Sequence, residues 1–351
     1  MTKIVVLGDC HMGARSGSSH FVRYFNKFFT EVLYPYMLDN NIREIVQLGD
    51  IFDNRTNLHL KAFHMSKPEW FDALDEYGFK MHILLGNHDI TMRESLKVNT
   101  PESIMGDYIR RGTVRVYNKP ETIEIDGTQF DIIPWICTEN KEEVKEFMTR
   151  KKVGDVCFGH FEISGAQMYR GIEGHGGLGQ DLFERYAVTF SGHYHTRSWL
   201  PEHRIQYVGT PYEITWMDAH DPRGFTVFDT ETMKWDFIRN PFTMFEKIYY
   251  RGSPKELGDY RSKFVKLIVE KKDNLYEFDQ FLQKLRAQEP YDLAIVENLD
   301  ELSAGDISDE EFELDDTLSI ISKYIDSLET DLSKEKIKSF INGLYLEALN
   351  Q

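Results

Sequence analysis

The chain has 351 residues, of which 41% are hydrophobic and 13% aromatic, and its formal net charge is −17. This composition indicates a globular protein with one large domain and room for smaller ones, and it excludes a wholly disordered chain. No run approaches the roughly 20 apolar residues of a membrane span, and no basic leader precedes the first apolar run. The three cysteines are widely spaced, so we expect reduced thiols in a cytoplasmic protein.

The negative charge is unevenly distributed along the chain. More than half of it falls in residues 298–351, which contain 14 Asp and Glu against 4 Lys. The remainder of the chain is only moderately acidic, and part of that charge lies on candidate metal ligands. The net charge therefore does not exclude a nucleic-acid partner.

Three apolar, β-rich runs near the N-terminus each end at a glycine followed by Asp or Asn. They are KIVVLGD (3–9), REIVQLGDIFD (43–53) and KMHILLGNHD (80–89). The stretches between them, 21–41 and 60–78, have the apolar spacing of amphipathic helices. Alternating strands and helices predict parallel strands with crossover helices, and in such sheets sites form where loops leave the carboxyl ends of the strands.

From about residue 113 to 230 the pattern changes to short strands, two of which end in Gly-His turns, at 152–162 and 187–195. This indicates a second sheet. We therefore predict an α/β fold in which a two-sheet α/β sandwich forms a core domain over residues 1–242.

Three further segments follow the predicted core. Residues 243–297 read as a small, separate α/β module. Residues 298–316 are acidic without any Lys or Arg, which is typical of a solvated linker. Residues 317–351 show apolar residues at helical spacing and predict two short C-terminal helices.

Polar residues cluster at the ends of five predicted strands, each time in or beside a glycine-containing turn. They are Asp9 and His11, Asp50 and Asp53, Asn87 and His88, His160, and His193 with His195. A mixed set of Asp, Asn and His suits Mn²⁺ or iron better than an all-oxygen Mg²⁺ site. Seven candidate ligands are too many for one ion with open positions. They fit two ions that share a bridging carboxylate, for which Asp50 is the natural choice.

Each of these motifs alone is commonly incidental. Asn87 and Asp89 could be only turn formers, and His193 and His195 could be a surface pair. Five separate strand ends that all carry such residues after glycine are very improbable without a shared site. Cys10 lies between two candidate ligands but should face the opposite side, so we interpret it as a buried structural thiol.

The motifs GDCHMG, GDIFD, GNHD, GHFE and GHYH stand in the order found in the calcineurin-like metallophosphoesterases. The resemblance covers about residues 1–230. The segments IIPW (132–135), GHFEISGAQ (159–167) and YVGTPYEIT (207–215) resemble the DNA-repair branch, the SbcD and meiotic-recombination-eleven-type nucleases. The overall length, residues 221–232 and the acidic linker are similar to bacteriophage members of that branch.

This resemblance implies a role for each site residue. The first metal would bind Asp9, His11, Asp50 and His195. The second would bind Asp50, Asn87, His160 and His193. His88 would face the scissile phosphate, stabilising the transition state or protonating the leaving oxygen. Asp53 stands where many cellular nucleases carry a histidine, and the resemblance implies that it orients the catalytic histidine.

The resemblance further implies a manganese-dependent DNA nuclease, an exonuclease on duplex ends and an endonuclease on single strands. The cofactors would be two Mn²⁺, with Mg²⁺ or Fe²⁺ as alternatives. The chain would be the nuclease subunit of a recombination and double-strand-break repair complex. It would bind an SbcC-type coiled-coil ATPase through residues 317–351 and would act in the host cytoplasm if phage-encoded. The module at 243–297 would be a capping domain that orients DNA, and nuclease-domain helices, such as those of 21–38, would form a homodimer.

Two other functions remain open on the sequence alone. One is a metallophosphoesterase acting on a phosphoprotein or a cyclic nucleotide. The other is a non-catalytic scaffold, against which the complete ligand set argues. Several basic residues could contact DNA phosphates, although solvated surface charge is at least as good an explanation of each: Arg55, His59, Lys61, Arg93, Lys97, Arg110, Arg111 and Arg115.

Overall fold

The computed structural model describes residues 3–151, 154–169, 172–174, 176–252 and 256–297, together with Lys334. The chain divides after Ile295 into two units, and all of the architecture except the end of the last strand lies in the first. The predicted linker (298–316) and the predicted C-terminal helices (317–351) lie outside the described residues, apart from Lys334.

The strands are β1 (Lys3–Leu7), β2 (Glu44–Gln47), β3 (Lys80–Leu84), β4 (Ile90–Met92), β5 (Ser95–Asn99), β6 (Val114–Tyr117), β7 (Glu121–Ile125), β8 (Thr128–Ile133), β9 (Val156–His160), β10 (Gln167–Tyr169), β11 (Ile172–Glu173), β12 (Val188–Gly192), β13 (Ser198–Leu200), β14 (Ile205–Tyr207), β15 (Gly224–Asp229), β16 (Lys234–Arg239), β17 (Phe245–Arg251), β18 (Phe264–Lys271) and β19 (Asp292–Val296). The α-helices are α1 (Ala14–Gly17), α2 (Ser19–Phe28), α3 (Tyr34–Asp39), α4 (Leu60–Lys67), α5 (Ala73–Tyr77), α6 (Thr100–Ile104), α7 (Gly106–Arg111), α8 (Lys141–Thr149) and α9 (Leu275–Arg286).

The first sheet has six strands in the order β16-β15-β1-β2-β3-β6. Strands β1, β2, β3 and β6 are parallel, β15 pairs antiparallel with β1, and β16 pairs antiparallel with β15. The second sheet has the order β13-β14-β12-β9-β8-β7, with β14, β12, β9 and β8 parallel and the two outer strands antiparallel. In each sheet the strands that precede the Gly-containing turns are parallel to one another, so these turns leave the same edge of the sheet.

The two sheets pack face to face through their apolar inner faces. Ile4, Val6 and Val46 of the first sheet share one buried cluster with Phe158 and Phe190 of the second. Helices cover the outer face of the first sheet, and α8 with residues of 161–168 and 178–186 covers the outer face of the second. The predicted two-sheet α/β sandwich is therefore confirmed.

The aromatic stretch 21–38 forms much of the core outside the first sheet. Helices α2 and α3 are joined through a π-helical segment, Phe29–Leu33, so the chain stays helical from Ser19 to Asp39. Phe25, Phe28 and Tyr34 are fully buried. These side chains pack within their own chain, so they are not available for the dimer contact suggested for this stretch. A homodimer through other faces of these helices remains a prediction.

A third sheet, β17-β18-β19, follows the core and packs against α9 through its own apolar cluster. It also contacts the core: Phe21 of α2 lies 5.9 Å from Phe245 and 5.3 Å from Phe264, between ring centroids. The role of this module as a DNA-orienting cap remains a prediction.

Cys10, Cys137 and Cys157 are buried and unpaired, as expected for reduced thiols. Within the ranges given above, none of the helices combines the length and the apolarity needed to cross a bilayer.

Replacing Phe28 with Ala tests whether α2 is a core element. Phe28 is fully buried against Tyr212 and Phe225, so the substitution should cost about 3–5 kcal/mol of unfolding free energy, measured by denaturant titration. Leu60→Ala is the control, since Leu60 is 74% exposed and its loss should change stability by less than about 0.5 kcal/mol. Loss of a dimer without loss of stability in Phe28→Ala would contradict the core assignment.

Candidate metal centre

The candidate site lies at the carboxyl ends of five parallel strands from both sheets. The turns after β1, β2 and β3 carry the Asp, Asn and His residues of the first sheet. His160 is the last residue of β9, and His193 and His195 follow β12. The carboxylates are deeply buried, whereas His88, His193 and His195 are half-buried at the rim. The carboxylates thus lie deeper in the protein than these three histidines.

The first group of converging side chains consists of Asp9, His11 and His195, whose ligand atoms all lie within 4.8 Å of one another. The Nε2 atoms of His11 and His195 are 3.0 Å apart, and His195 Nε2 lies 4.0 Å from an Asp9 carboxylate oxygen. Two imidazole nitrogens and a carboxylate facing one point form a typical donor set for a divalent transition metal.

The second group consists of Asp50, Asn87, His160 and His193. His160 Nε2 lies 2.8 Å from Asn87 Oδ1 and 3.3 Å from Asp50 Oδ2, and His193 Nδ1 is 3.2 Å from Asn87 Oδ1. Asp50 also belongs to a set with Asp9 and His160 in which the ligand atoms lie within 4.8 Å. Asp50 thus lies between the two groups. The structure brings all seven predicted ligands together, and their assignment to ions remains a prediction.

Backbone carbonyls define the tautomers of two histidines. His160 Nδ1 lies 2.7 Å from the Leu48 carbonyl, and His88 Nδ1 lies 2.5 Å from the Asp53 carbonyl. A carbonyl oxygen can only accept, so Nδ1 carries the proton in both rings. In each ring Nε2 is left for a ligand or a substrate, and such outer hydrogen bonds are typical of metal-site histidines.

Asp53 orients His88 through its backbone, not through its carboxylate. The side chain of Asp53 instead lies 3.4 Å from His11 Nδ1. The carboxylate is thus placed to act on a candidate ligand, and only the main chain at position 53 acts on His88. The orienting role that the resemblance implies for Asp53 stays a prediction, and the contact that would serve it is made by a backbone carbonyl.

Burial and close charges shift the pKa values of the site in opposite directions. Burial, reinforced by the charge of Asp50, raises the pKa of Asp9 to about 6. Burial alone would also raise the pKa of Asp50, but the imidazoles of His160 and His88 hold it well below its usual value. Burial disfavours the charged form of His160, yet the Asp50 carboxylate raises the pKa of His160 to about 9. Asp50 and His160 therefore form a buried ion pair when no other cation is present.

The backbone of the site is strained at three of the candidate ligands. His11, Asp50 and His193 have φ values of 46°, 54° and 86°, in the left-handed region that non-glycine residues rarely adopt. The glycines allow a close approach: a Cβ on Gly86 would lie 2.1 Å from Asp50 Oδ1. Strain at three adjacent turns is the kind of outlier that clusters at functional sites.

Sequence reasoning missed the role of Asp89, which it treated as a turn residue. Asp89 is fully buried, and its carboxylate accepts hydrogen bonds from the backbone N–H groups of Asp50, Gly86 and Phe52 at 2.7, 3.0 and 3.2 Å. Burial and the charge of Asp50 raise the pKa of Asp89 to about 6. Asp89 joins the turn after β2 to the turn after β3. The only sequence signal for this role was the position of Asp89 in the GNHD motif.

Two other long-range contacts also position the ligands and leave no sequence signal. The buried guanidinium of Arg223 donates to the His195 carbonyl, to Thr210 Oγ1 at 2.7 Å and to Asp218 Oδ1 at 2.7 Å. The hydroxyl of Tyr212 donates to the Cys10 carbonyl at 2.6 Å, between the candidate ligands on either side of Cys10.

Four of the basic residues considered for DNA contact form ion pairs with carboxylates of the same chain. They are Lys97 with Glu139, Arg110 with Asp107, Arg111 with Asp75 and Arg115 with Glu121. Simple surface charge is therefore the better explanation for these four.

The residues present fit two divalent ions. Asp9 and Asp50 are 0% and 2% exposed. The nearest cationic group is His160, which needs its proton to balance the charge of the Asp50 carboxylate. His160 and His88 are held in the tautomer that frees Nε2. These groups include no Lys or Arg. Buried carboxylates that face imidazole nitrogens are chemically suited to divalent metals.

Residues 2–209 match the family model described as calcineurin-like phosphoesterase. Over 350 residues the chain is 33% identical to exonuclease subunit 1 of Enterobacteria phage T4, covering 99% of both chains.

Two solved structures show lower similarity. An archaeal phosphodiesterase is 10% identical with a TM-score of 0.35, and a hypothetical protein from Thermus thermophilus is 12% identical with a TM-score of 0.37. Both comparisons cover 68% of this chain and all of the other. TM-scores this low do not define a common fold.

Asp89→Asn tests the connection between the two turns. The amide removes a buried charge and presents an N–H₂ group to one of the three backbone donors, so the turn that carries Asp50 should shift. We expect Mn²⁺ affinity to fall about 10- to 100-fold by calorimetric titration, with the fold retained. Asp155→Asn is the control, because exposed Asp155 also accepts a backbone N–H, from Gln129, but lies outside the site. Unchanged Mn²⁺ affinity in Asp89→Asn would contradict this role.

Proposed function

Because this chain belongs to the calcineurin-like phosphoesterase family, we propose that it is a DNA nuclease, the nuclease subunit of a recombination and repair complex. The family predicted from the five motifs is confirmed. Support for the nuclease comes from the relative named exonuclease subunit 1, which matches this chain along almost its whole length.

The observation that carries this proposal is the convergence of seven metal-type donors with His88 at one edge of the sandwich. One ring nitrogen of His88 lies within 4.8 Å of ligand atoms of His11 and Asp50. The His88 and His11 rings meet edge to face at 4.7 Å. A half-buried histidine beside a buried donor set suits a substrate whose phosphate reaches the metals while its leaving oxygen reaches the imidazole.

Asp9, His11, Asp50 and His195 would hold one ion, and Asp50, Asn87, His160 and His193 the other. When bound, two such ions supply charge neutralisation at the phosphate and lower the pKa of a water molecule. The cofactors we propose are two Mn²⁺, with Mg²⁺ or Fe²⁺ as alternatives.

The chain's own residues would position the donors and move a proton. His88 Nδ1 donates to the Asp53 carbonyl, so Nε2 is the atom that faces the substrate. As an imidazolium it can donate to the leaving oxygen, and as a neutral ring it can accept a proton afterwards. Asp53 acts through its carbonyl on His88 and through its carboxylate on His11. Asp89, Arg223 and Tyr212 keep the ligand-bearing turns after β1, β2, β3 and β12 in place.

The finer parts of the proposal concern substrates and partners. The enzyme would act as an exonuclease on duplex ends and as an endonuclease on single strands. Residues 243–297 would cap the site and orient DNA. Residues 317–351 would bind an SbcC-type coiled-coil ATPase, and the nuclease domain would form a homodimer. The site of action would be the cytoplasm of the host cell.

The decisive experiment is digestion of end-labelled duplex and single-stranded DNA in Mn²⁺, with and without the ATPase subunit. His88→Ala should lower the cleavage rate by about 10²- to 10⁴-fold while both metals stay bound. Asp50→Ala should lose cleavage together with metal, because Asp50 serves both ions. His64→Ala is the matched control, since His64 is exposed on α4, and it should cleave like wild type.

Each other outcome of this experiment favours a different function. Hydrolysis of bis(p-nitrophenyl) phosphate without cleavage of any DNA would favour the alternative, a metallophosphoesterase acting on a phosphoprotein or a cyclic nucleotide. Absence of bound metal, measured by elemental analysis, would favour a non-catalytic scaffold.

Deleting residues 317–351 tests the partner assignment. The shortened chain should no longer co-elute with the ATPase in size-exclusion chromatography, and it should hydrolyse bis(p-nitrophenyl) phosphate at the wild-type rate. If these residues only pack on their own chain, deletion will instead lower the melting temperature and leave the complex intact.

A further inference from the structure

Strands β13 and β16 are edge strands of the two sheets, and their side chains contact each other along one side of the sandwich. Four side chains meet there and form what we call the edge cluster: Arg197, Trp199, Trp235 and Phe237. Arg197 lies over the Phe237 ring at 4.7 Å, and the indoles of Trp199 and Trp235 are 5.2 Å apart between centroids. The cluster thus spans the gap between the sheets.

Arg197 is the cation of the cluster, and it lines a pocket that also contains Glu173 and Glu202. It is half-buried, and over the part of the chain that the structure describes it forms no ion pair and its Nε–H donates no hydrogen bond. Burial lowers the pKa of its guanidinium. A partly desolvated guanidinium without an acceptor is costly, and a bound anion such as a phosphate would compensate it.

Trp199 is the exposed aromatic side chain of the cluster. It is 39% exposed, whereas the other four tryptophans of the chain are buried or half-buried. Its indole makes a tilted contact, at an interplanar angle of 57°, with Trp235, which itself contacts Phe190 of the inter-sheet core at 5.5 Å. A partly exposed indole that packing holds in place is suited to stacking on a flat ligand group.

The edge cluster is continuous with the candidate metal centre. Arg197 follows the candidate ligand His195 by two residues, and Trp199 lies two residues further on the same face of the chain. On β16, Phe237 is level with Val6 of β1 and Trp235 with Ile4, through their partners on β15. Phe237 is therefore nearer than Trp235 to the edge that carries Asp9. The pairs form a stripe that starts at the site and runs down the open side.

We propose that the edge cluster binds single-stranded DNA leaving the metal centre, with a phosphate on Arg197 and an unstacked base on Trp199. This inference rests on the proposed nuclease function. Two residues of extended chain span about 6.6 Å, close to the rise of two nucleotides at about 3.4 Å each. A base within a duplex is stacked on both faces, so an open indole selects an unpaired strand.

Protein partners also use Trp and Arg as contact residues. Continuity with the catalytic edge favours nucleic acid, because a strand held by the metals passes next to Arg197. The positive charge of Arg197 complements a phosphate.

The test uses full-length protein in the His88→Ala background with Mn²⁺, and a single-stranded oligonucleotide that carries 2-aminopurine at one position at a time. Binding should quench 2-aminopurine at one or two adjacent positions. Trp199→Ala should abolish this quenching and weaken binding about 5- to 100-fold, and Trp199→Phe should restore most of both. Arg197→Gln should reduce the slope of log K against log [salt] by about 0.7.

Arg204→Gln is the matched control, because Arg204 is an exposed arginine nearby that lies outside the cluster. It should bind the oligonucleotide like the His88→Ala parent. In the wild-type background every variant should hydrolyse bis(p-nitrophenyl) phosphate normally, since the metal centre is untouched. Trp199→Leu replaces Trp199→Ala if circular dichroism shows that the latter is unfolded.

The inference is overturned if the Trp199 and Arg197 variants bind DNA like Arg204→Gln. It is also overturned if they lose only the ATPase subunit, which would make the cluster a protein contact. If His88-intact protein hydrolyses the small phosphodiester but neither binds nor cleaves DNA, the proposed nuclease function itself fails.

Discussion

The structure depends on the burial of three carboxylates, Asp9, Asp50 and Asp89, at one edge of the sandwich. Anions removed from water are unfavourable unless positive charge or hydrogen-bond donors surround them. Backbone N–H groups surround Asp89, the imidazoles of His160 and His88 act on Asp50, and the N–H of His193 donates to Asp9. The face-to-face packing of the sheets is therefore more than a way to bury apolar residues. It brings His160, which ends β9, to a carboxylate that follows β2, and so the fold and the site stabilise each other.

The sequence was sufficient to predict that the candidate ligands converge, because each of them is part of a local pattern, an apolar strand followed by a glycine turn. Parallel strands present their turns at one edge, so local patterns imply a shared location.

The sequence could not reveal contacts between segments far apart in the chain. Arg223 reaches the His195 carbonyl from 28 residues away, and Tyr212 reaches Cys10 across 202 residues. Asp53 shows another limit, since its main chain, and not the side chain that drew attention to it, holds His88. The aromatic residues of 21–38 were equally ambiguous, because a core face and an oligomer face have the same composition.

The third sheet is attached to the core through a buried carboxylate as well as through aromatic rings. Glu213 is 1% exposed and accepts hydrogen bonds from the N–H groups of Met244 and Phe245, at 2.6 and 2.8 Å, where β17 begins. Burial raises the pKa of Glu213 to about 7. Glu213 directly follows Tyr212, which holds the turn after β1. One short loop thus contacts both the turn after β1 and the start of β17. A displacement of one of these two elements would therefore shift the other.

The position of β1 between β2 and β15 has a consequence for biosynthesis. Val5 pairs with Ile45 on one side and with Val227 on the other. The second pairing joins segments more than 200 residues apart, so the first sheet cannot close until most of the core has left the ribosome. Contacts of such long sequence separation fold slowly. Until β15 arrives, β1 is an exposed apolar edge that invites pairing with other chains. Strand β1, which leads into Asp9 and His11, is thus translated first and enclosed late. Chains that stop before residue 224 would be the most prone to aggregate.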